Sequence, residues 1–192
     1  MSLVNGISWV AGKSGDAISA NGTNQYATEP GINLSGTSTV TVAFWANRTY
    51  STTAESVLLE SSTNYNNSTT GFGFFPDDTQ CQGIHAAVHG NLGYSVNCYA
   101  QPSSGVWHHI AVIFDKTQAG NAQTALYIDG VLQTPTSNLN TAKNTNSFGN
   151  NPIYLFSRAG NQFFNGGKMD DLRIYNRALS ATEIQQLYQA GN

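Results

Sequence analysis

Stretches rich in β-branched and aromatic residues recur at short spacing along the chain, with polar turn residues between them. The main ones are STVTVAFWANR (38–48), ESVLLES (55–61), GFGFF (71–75), VWHHIAVIFD (106–115), TALYIDGVLQ (124–133), PIYLFSRA (152–159) and KMDDLRIYN (168–176). Side chains of these types pack well on a pleated surface, so each stretch predicts a strand. Asp129-Gly130 predicts a two-residue hairpin turn with φ > 0 at both positions. A second hairpin is expected between Cys81 and Cys98. There Ile84, Ala86 and Val88 alternate with His85, Ala87 and His89, HGNLG supplies turn residues, and YSVNCY returns in extended character.

One segment has helical period instead. Ser180-Ala181-Thr182-Glu183 is a capping-box sequence, and Ile184, Leu187 and Tyr188 then form one apolar stripe. Gly191 is a natural stop. Many short strands with regular turns and one late helix predict an all-β sandwich of two packed antiparallel sheets. The helix is expected to lie over a sheet edge or a core opening. Residues 61–70 and 134–151 are Asn/Ser/Thr-rich and predict long surface loops. Neither a repeat nor a linker divides the chain, so residues 1–192 read as a single domain, excised from a larger secreted protein.

Composition narrows the function. Only 10% of residues are charged, against the ~25% usual in globular proteins, so the surface is built from neutral polar side chains. Such a surface fits a secreted bacterial protein. The net charge of -3 and the scattered Lys and Arg argue against nucleic acid and against a polybasic membrane patch. No apolar run reaches the ~18–20 residues of a membrane span, which excludes insertion by a helix. Cys81 and Cys98 lie about equally far from the expected hairpin turn and can face each other across it. A disulfide there would be worth roughly 3 kcal/mol in the chain-entropy model and would imply an oxidising compartment. Two half-buried free thiols are the alternative.

Four stretches in order resemble the laminin-G-like jellyroll domains of the concanavalin A-like lectin/glucanase superfamily. GKSGDAISANGTNQYATEP (12–30) is similar to the opening pattern, TVAFWANR to the next strand, WHHIAVIFD with LYIDGVLQ to the central hairpin, and GGKMDDLRIYNRALSATEIQQLY to the closing strand and helix. The resemblance implies a jellyroll of two antiparallel sheets. It also implies a non-catalytic, extracellular or cell-surface module that works beside other domains of its parent chain. Carbohydrate binding and a structural calcium ion are common in the family. A protein–protein adhesion or structural module without sugar binding is the alternative.

A glycosidase strand needs two carboxylates on one face, at i and i+2, and no acidic residue here stands two positions from another. No catalytic residue is therefore expected. Asp170 and Asp171 are adjacent, so on a regular strand they face opposite ways. With Leu172 and Ile174 facing the core, Asp170 is expected to point inward and Asp171 outward beside Arg173. The family's calcium sites join the closing strand to an early acidic-Gly turn, which here reads Ala20-Asn21-Gly22. Asn21, Asp170 and Asp171 are the candidate calcium ligands, oxygen donors of the kind the ion prefers. A calcium-free Asp170 that accepts hydrogen bonds from backbone amides or Asn21 is the other reading. The adjacent His108 and His109 must face opposite sides, and His85 and His89 lie about 13 Å apart along a strand, so no zinc site is expected. Trp45 and Trp107 read as packing residues. A glycan-binding surface would draw on Tyr65, His85, Tyr94, Arg158, Asn161 and Gln162.

Overall fold

In a computed structural model of the chain, which describes residues 1–64 and 68–191, the strand-forming stretches assemble into two stacked antiparallel sheets. In chain order the first strands are Ser2–Val4 (β1), Ser8–Ala11 (β2), Asp16–Asn21 (β3), Tyr26–Asn33 (β4) and Thr39–Asn47 (β5). Leu59–Ser61 (β6), Phe72–Asp78 (β7), Gly83–Gly90 (β8), Gly93–Tyr99 (β9) and Trp107–Asp115 (β10) follow. Thr124–Ile128 (β11), Val131–Leu132 (β12), Ser137–Thr141 (β13), Asn150–Leu155 (β14) and Gly166–Tyr175 (β15) complete the set, and Ala181–Ala190 is helix α1. One sheet runs β1-β4-β14-β6-β7-β8-β9-β13 and the other β12-β11-β10-β5-β15-β3-β2. This is the all-β jellyroll sandwich with a short C-terminal helix.

The core lies between the sheets. Val40, Val42, Phe44 and Ala46 of β5 point into it, as do Ile110, Val112 and Phe114 of β10 and Phe72 and Phe74 of β7. Phe72 stacks on Phe114 at 4.7 Å, and Phe44 meets Phe74 edge-on at 5.7 Å. β5 is nonetheless buried on both faces, because Ala43 on its other side joins Ala111, Tyr127 and Ile184 under helix α1. A strand covered twice reads as a continuous apolar run, which is why the pattern 38–48 does not alternate. The helix lies on the outer face of the seven-stranded sheet, not over an edge or a core opening. Its capping box forms, and Arg177 pairs with Glu183 in its first turn. Trp45 is buried on the same outer face, with His109 at 5.4 Å and Tyr188 at 5.8 Å.

Asp129 and Gly130 adopt φ of 53° and 78°, the turn the pair encodes. Cys81 and Cys98 form a disulfide that ties the turn before β8 to the end of β9. Segment 134–151 is not one loop: β13 adds to the edge of the eight-stranded sheet beside β9. All five of its side chains are exposed, so backbone pairing alone makes it a strand and no hydrophobic pattern marks it.

The closing strand departs from regular alternation. Its pairing with β5 shifts between Asp170 and Arg173, and Asp171 takes a φ of 49°. Such a bulge inserts one residue and reverses which face the upstream residues occupy. Leu172 and Ile174 pack against the core as expected, but so does Met169. Asp170 pairs with Trp45 and therefore faces outward with it. The inward orientation expected for Asp170 is thus wrong. Its burial comes from the turn 12–15, which folds over it.

Candidate functional site

An open polar cleft of about 550 Å³ occupies one end of the sandwich, where β5 and β3 end and β15 begins. Strand pairing sets its walls: Lys168 sits opposite Asn47 on β5, and Gly166 opposite Asn21 on β3. Gly167 must be glycine here. Its φ is 136°, and a Cβ would lie 2.7 Å from that of Arg48. The missing side chain lets β15 close against the end of β5 and leaves the cleft open above it.

The floor is a buried network. Arg48 is 6% exposed and Asp77 3%. The guanidinium grips the carboxylate through both terminal nitrogens, Nη1 to Oδ1 at 3.0 Å and Nη2 to Oδ2. Arg48 Nε donates to Asn165 Oδ1 at 3.2 Å, Asn165 Nδ2 donates to Ser56 Oγ at 2.7 Å, and Ser56 Oγ donates to Asp77 Oδ2 at 2.8 Å. The Ser51 amide and Gln101 Nε2 also donate to Asp77. Both charges are paired and both Asp77 oxygens accept hydrogen bonds, the condition under which a buried polar network rigidifies a site. Arg48 also lies 4.7 Å from the Tyr50 ring, and burial pushes that phenol up to about 12.

The rim is polar, with one lysine and one glutamate among amide and hydroxyl side chains. Asn47 and Lys168 are half-buried, while Asn21, Thr49 and Glu55 are exposed. Phe164 adds one aromatic face. Glu55 accepts from the Thr79 hydroxyl at 2.6 Å, and Asp77 is locked to Arg48. The cleft therefore presents donors and acceptors suited to hydroxyl groups, and the two carboxylates among its described lining residues, Glu55 and Asp77, are both already engaged.

The residues expected from sequence fall elsewhere, Asn21 excepted. His85, Tyr94 and Arg158 gather on the outer face of the eight-stranded sheet, around Phe75, Ala87 and Val96. Arg158 lies 4.4 Å over Phe163 and 3.5 Å from the Glu60 carboxylate, which is fully buried and whose carboxyl burial pushes up. His85 Nδ1 meets Asp78 Oδ2 at 2.9 Å. His89 is buried against Tyr94 at 4.2 Å. Asn161 and Gln162 are exposed in the tight loop that the Arg158 amide closes on Gln162. Tyr65 lies outside the described residues. Arg48 and Asp77, which sequence reasoning missed, are 29 positions apart. The available signal was an arginine at the end of a continuous apolar strand, which has to find a buried partner.

The proposed calcium ligands are not brought together. Asn21 pairs with Gly166, four residues from Asp170 along β15, or about 13 Å on a strand. Asn21 Oδ1 accepts from the Thr23 and Asn24 amides. Asp170 Oδ2 accepts from the Lys13 and Ser14 amides, both at 2.9 Å, and Oδ1 from the Asp171 amide at 2.7 Å. Gly12 permits this wrap, since a Cβ there would lie 2.5 Å from Asp170 Oδ2. Asp171 forms a two-pronged pair with Arg173. These three residues do not make one calcium donor set. Asp78, Cys81 and His85 also cluster, but Cys81 is committed to the disulfide and offers no thiolate. Among the described residues no helix is long and apolar enough to cross a membrane.

Comparison with known proteins places these features. The Laminin_G_3 profile of the concanavalin A-like lectin/glucanases superfamily matches residues 21–185. No curated protein matches significantly. Among solved structures, domain 4 of AbnA is similar over 96% of this chain and 82% of its own, with a TM-score of 0.71 and 20% identity. AbnA is a GH43 extracellular arabinanase from Geobacillus stearothermophilus, and that structure is a complex with arabinotriose. A heptameric SAP-like pentraxin from Limulus polyphemus matches over 85% of this chain and 75% of its own, at a TM-score of 0.57 and 11% identity. The binding domain of Paraclostridial Mosquitocidal Protein 1 matches over 96% of this chain at a TM-score of 0.68 and 20% identity; the match spans 46% of that domain. At these identities the likeness is one of fold.

Proposed function

Because the chain belongs to the concanavalin A-like lectin/glucanases superfamily, we propose that it is a carbohydrate-binding module and that its cleft holds a neutral glycan over the paired residues Asn47 and Lys168. The observation that carries this reading is the preorganised polar cleft itself. Its volume of about 550 Å³ lies within the range of small-ligand sites. Its rim is rich in amide and hydroxyl groups, which match sugar hydroxyls in both donor and acceptor roles. Its floor costs no reorganisation on binding, because Arg48 and Asp77 are already fixed. The structurally similar arabinanase domain solved with arabinotriose supports a short oligosaccharide as the ligand class. The disulfide supports an extracellular setting. There the module would hold a larger protein against its polysaccharide and raise its effective concentration.

The test is calorimetric titration with neutral oligosaccharides, arabino-oligosaccharides first. Asn47→Ala and Lys168→Ala should each weaken binding about 5–10-fold, the loss of one hydrogen bond of about 1–1.4 kcal/mol. Full binding by both variants would place the glycan elsewhere.

A further inference from the structure

Beside the cleft, three side chains are strung in hydrogen-bonding order. His108 is the second residue of β10 and points to the same side as Ile110, at the rim of the core. Its Nδ1 lies 2.7 Å from Asp129 Oδ2. Its Nε2 lies 3.0 Å from Ser103 Oγ. The other Asp129 oxygen accepts the His109 amide at 2.9 Å, so the carboxylate is fixed from both sides. The Asp129-Gly130 turn holds it there, with the Asp129 amide donating to the His109 carbonyl at 2.8 Å. Ser103 is exposed.

We propose that Ser103, His108 and Asp129 form an acyl-transfer site that removes O-acyl groups from a carbohydrate. The order hydroxyl, imidazole, carboxylate is what activates a serine nucleophile: the base is within reach of the hydroxyl and is itself oriented by a third group. With Nδ1–H given to Asp129, the Nε2 lone pair faces the Ser103 hydroxyl. Ser103 Oγ attacks the ester carbonyl while its proton passes to Nε2. The tetrahedral adduct then expels the sugar oxygen, which takes that proton and leaves as an alcohol. Water, deprotonated by Nε2, attacks the acyl-serine, and the proton returns to Ser103 as the free carboxylic acid departs. The amide of Ser104, directly after the nucleophile, is the oxyanion donor that the chain places nearest.

The substrate class rests on the glycan reading of the cleft; the hydrolytic chemistry does not. Gly105 lines the cleft and its amide donates to the Arg48 carbonyl at 2.9 Å. Ser103 is two residues away, its Cα within about 7 Å of that wall. Ser104 Oγ accepts the Tyr50 amide at 3.0 Å, which ties the same turn to the residue beside Arg48. An acyl group on a sugar held at the cleft edge would thus lie near the nucleophile. Nε2 also lies 3.1 Å from the Ser103 carbonyl oxygen, which keeps the imidazole edge against this turn.

The experiment uses the whole chain with two probes that need no glycan, p-nitrophenyl acetate and a fluorophosphonate. The expected result is steady turnover of the ester, lost at least 100-fold in Ser103→Ala and in His108→Gln and kept in Ser137→Ala. The fluorophosphonate adduct should map to Ser103 by peptide mass. No adduct with turnover at the buffer rate, or turnover unchanged in Ser103→Ala, would overturn the site and leave His108 as a structural tie. Ser103 is exposed, so Ser103→Ala should keep the wild-type melting temperature. Acetate release from an acetylated arabino- or xylo-oligosaccharide is measured in parallel. Turnover of the small ester without such release would overturn the carbohydrate substrate while leaving the triad standing.

Discussion

Arg48 and Asp77 meet as a two-pronged ion pair beneath the cleft, each with a side chain only 4% exposed. The pair joins the end of β5 to the end of β7, and so clamps the two sheets at the end where the cleft opens. Removing one partner strands the other charge in a dry environment. Arg48→Ala and Asp77→Ala are each expected to cost about 3–5 kcal/mol. Urea denaturation should show the double replacement Arg48→Ala with Asp77→Ala costing clearly less than the sum of the single ones. Additive losses would mean that the pair is not coupled.

Reducing the Cys81–Cys98 bond frees the hairpin that carries His85 and Tyr94. The loop-closure argument puts its contribution at about 3 kcal/mol. For a chain of this length that is a fall in melting temperature of about 6–12 °C. Scanning the Cys81→Ser/Cys98→Ser variant, or the wild type in dithiothreitol, measures it. A fall below about 2 °C would contradict the assignment.

Burial pushes the His89 imidazole down to about 3 and that of His109 to about 4. An unfolded histidine titrates near 6.5. Between about pH 4 and 6.5 the unfolded chain therefore binds more protons than the folded one, and stability rises with pH. Each histidine contributes at most about 1.4 kcal/mol per pH unit. Glu60 acts in the opposite sense above its ordinary range, because its carboxyl is raised. Two histidines outweigh one carboxyl, so the urea midpoint should be lower at pH 5 than at pH 7. His109→Gln should flatten that slope.

Chelation is expected to leave the melting temperature unchanged within about 1 °C. Asp170 already accepts three backbone amides, and Asn21 is held at the other end of the β3–β15 pairing. A fall in EDTA reversed by added calcium would restore a structural ion and place its ligands outside the set Asn21, Asp170 and Asp171.

Much of the fold was legible because strand propensity and burial agree. The β5 and β10 stretches are rich in β-branched and aromatic side chains and sit in the middle of a sheet. The shared face of His85 and His89 follows from alternation in the β8–β9 hairpin, whereas the disulfide joins Cys98, which stands opposite His85, to Cys81 in the turn before β8 and so owes nothing to cross-strand register. β13 was missed because its exposed residues carry no periodic signal. Asp170 was placed on the wrong face because alternation assumes an unbroken ladder, and a bulge at a non-glycine residue leaves no mark in sequence. The cleft was the least legible part. Its floor joins Arg48, Ser56, Asp77 and Asn165 through packing between strands distant in sequence, and no local pattern encodes such a meeting.

The claim that the cleft holds a glycan is tested most directly by an NMR titration of the 15N-labelled chain with an arabino-oligosaccharide. Saturable shifts are expected, concentrated at Asn21, Asn47, Gly166, Gly167 and Lys168, with a midpoint about 5–10-fold higher in sugar for Asn47→Ala. No shift at millimolar sugar, or shifts confined to His85, Tyr94 and Arg158 on the outer face of the eight-stranded sheet, would contradict it.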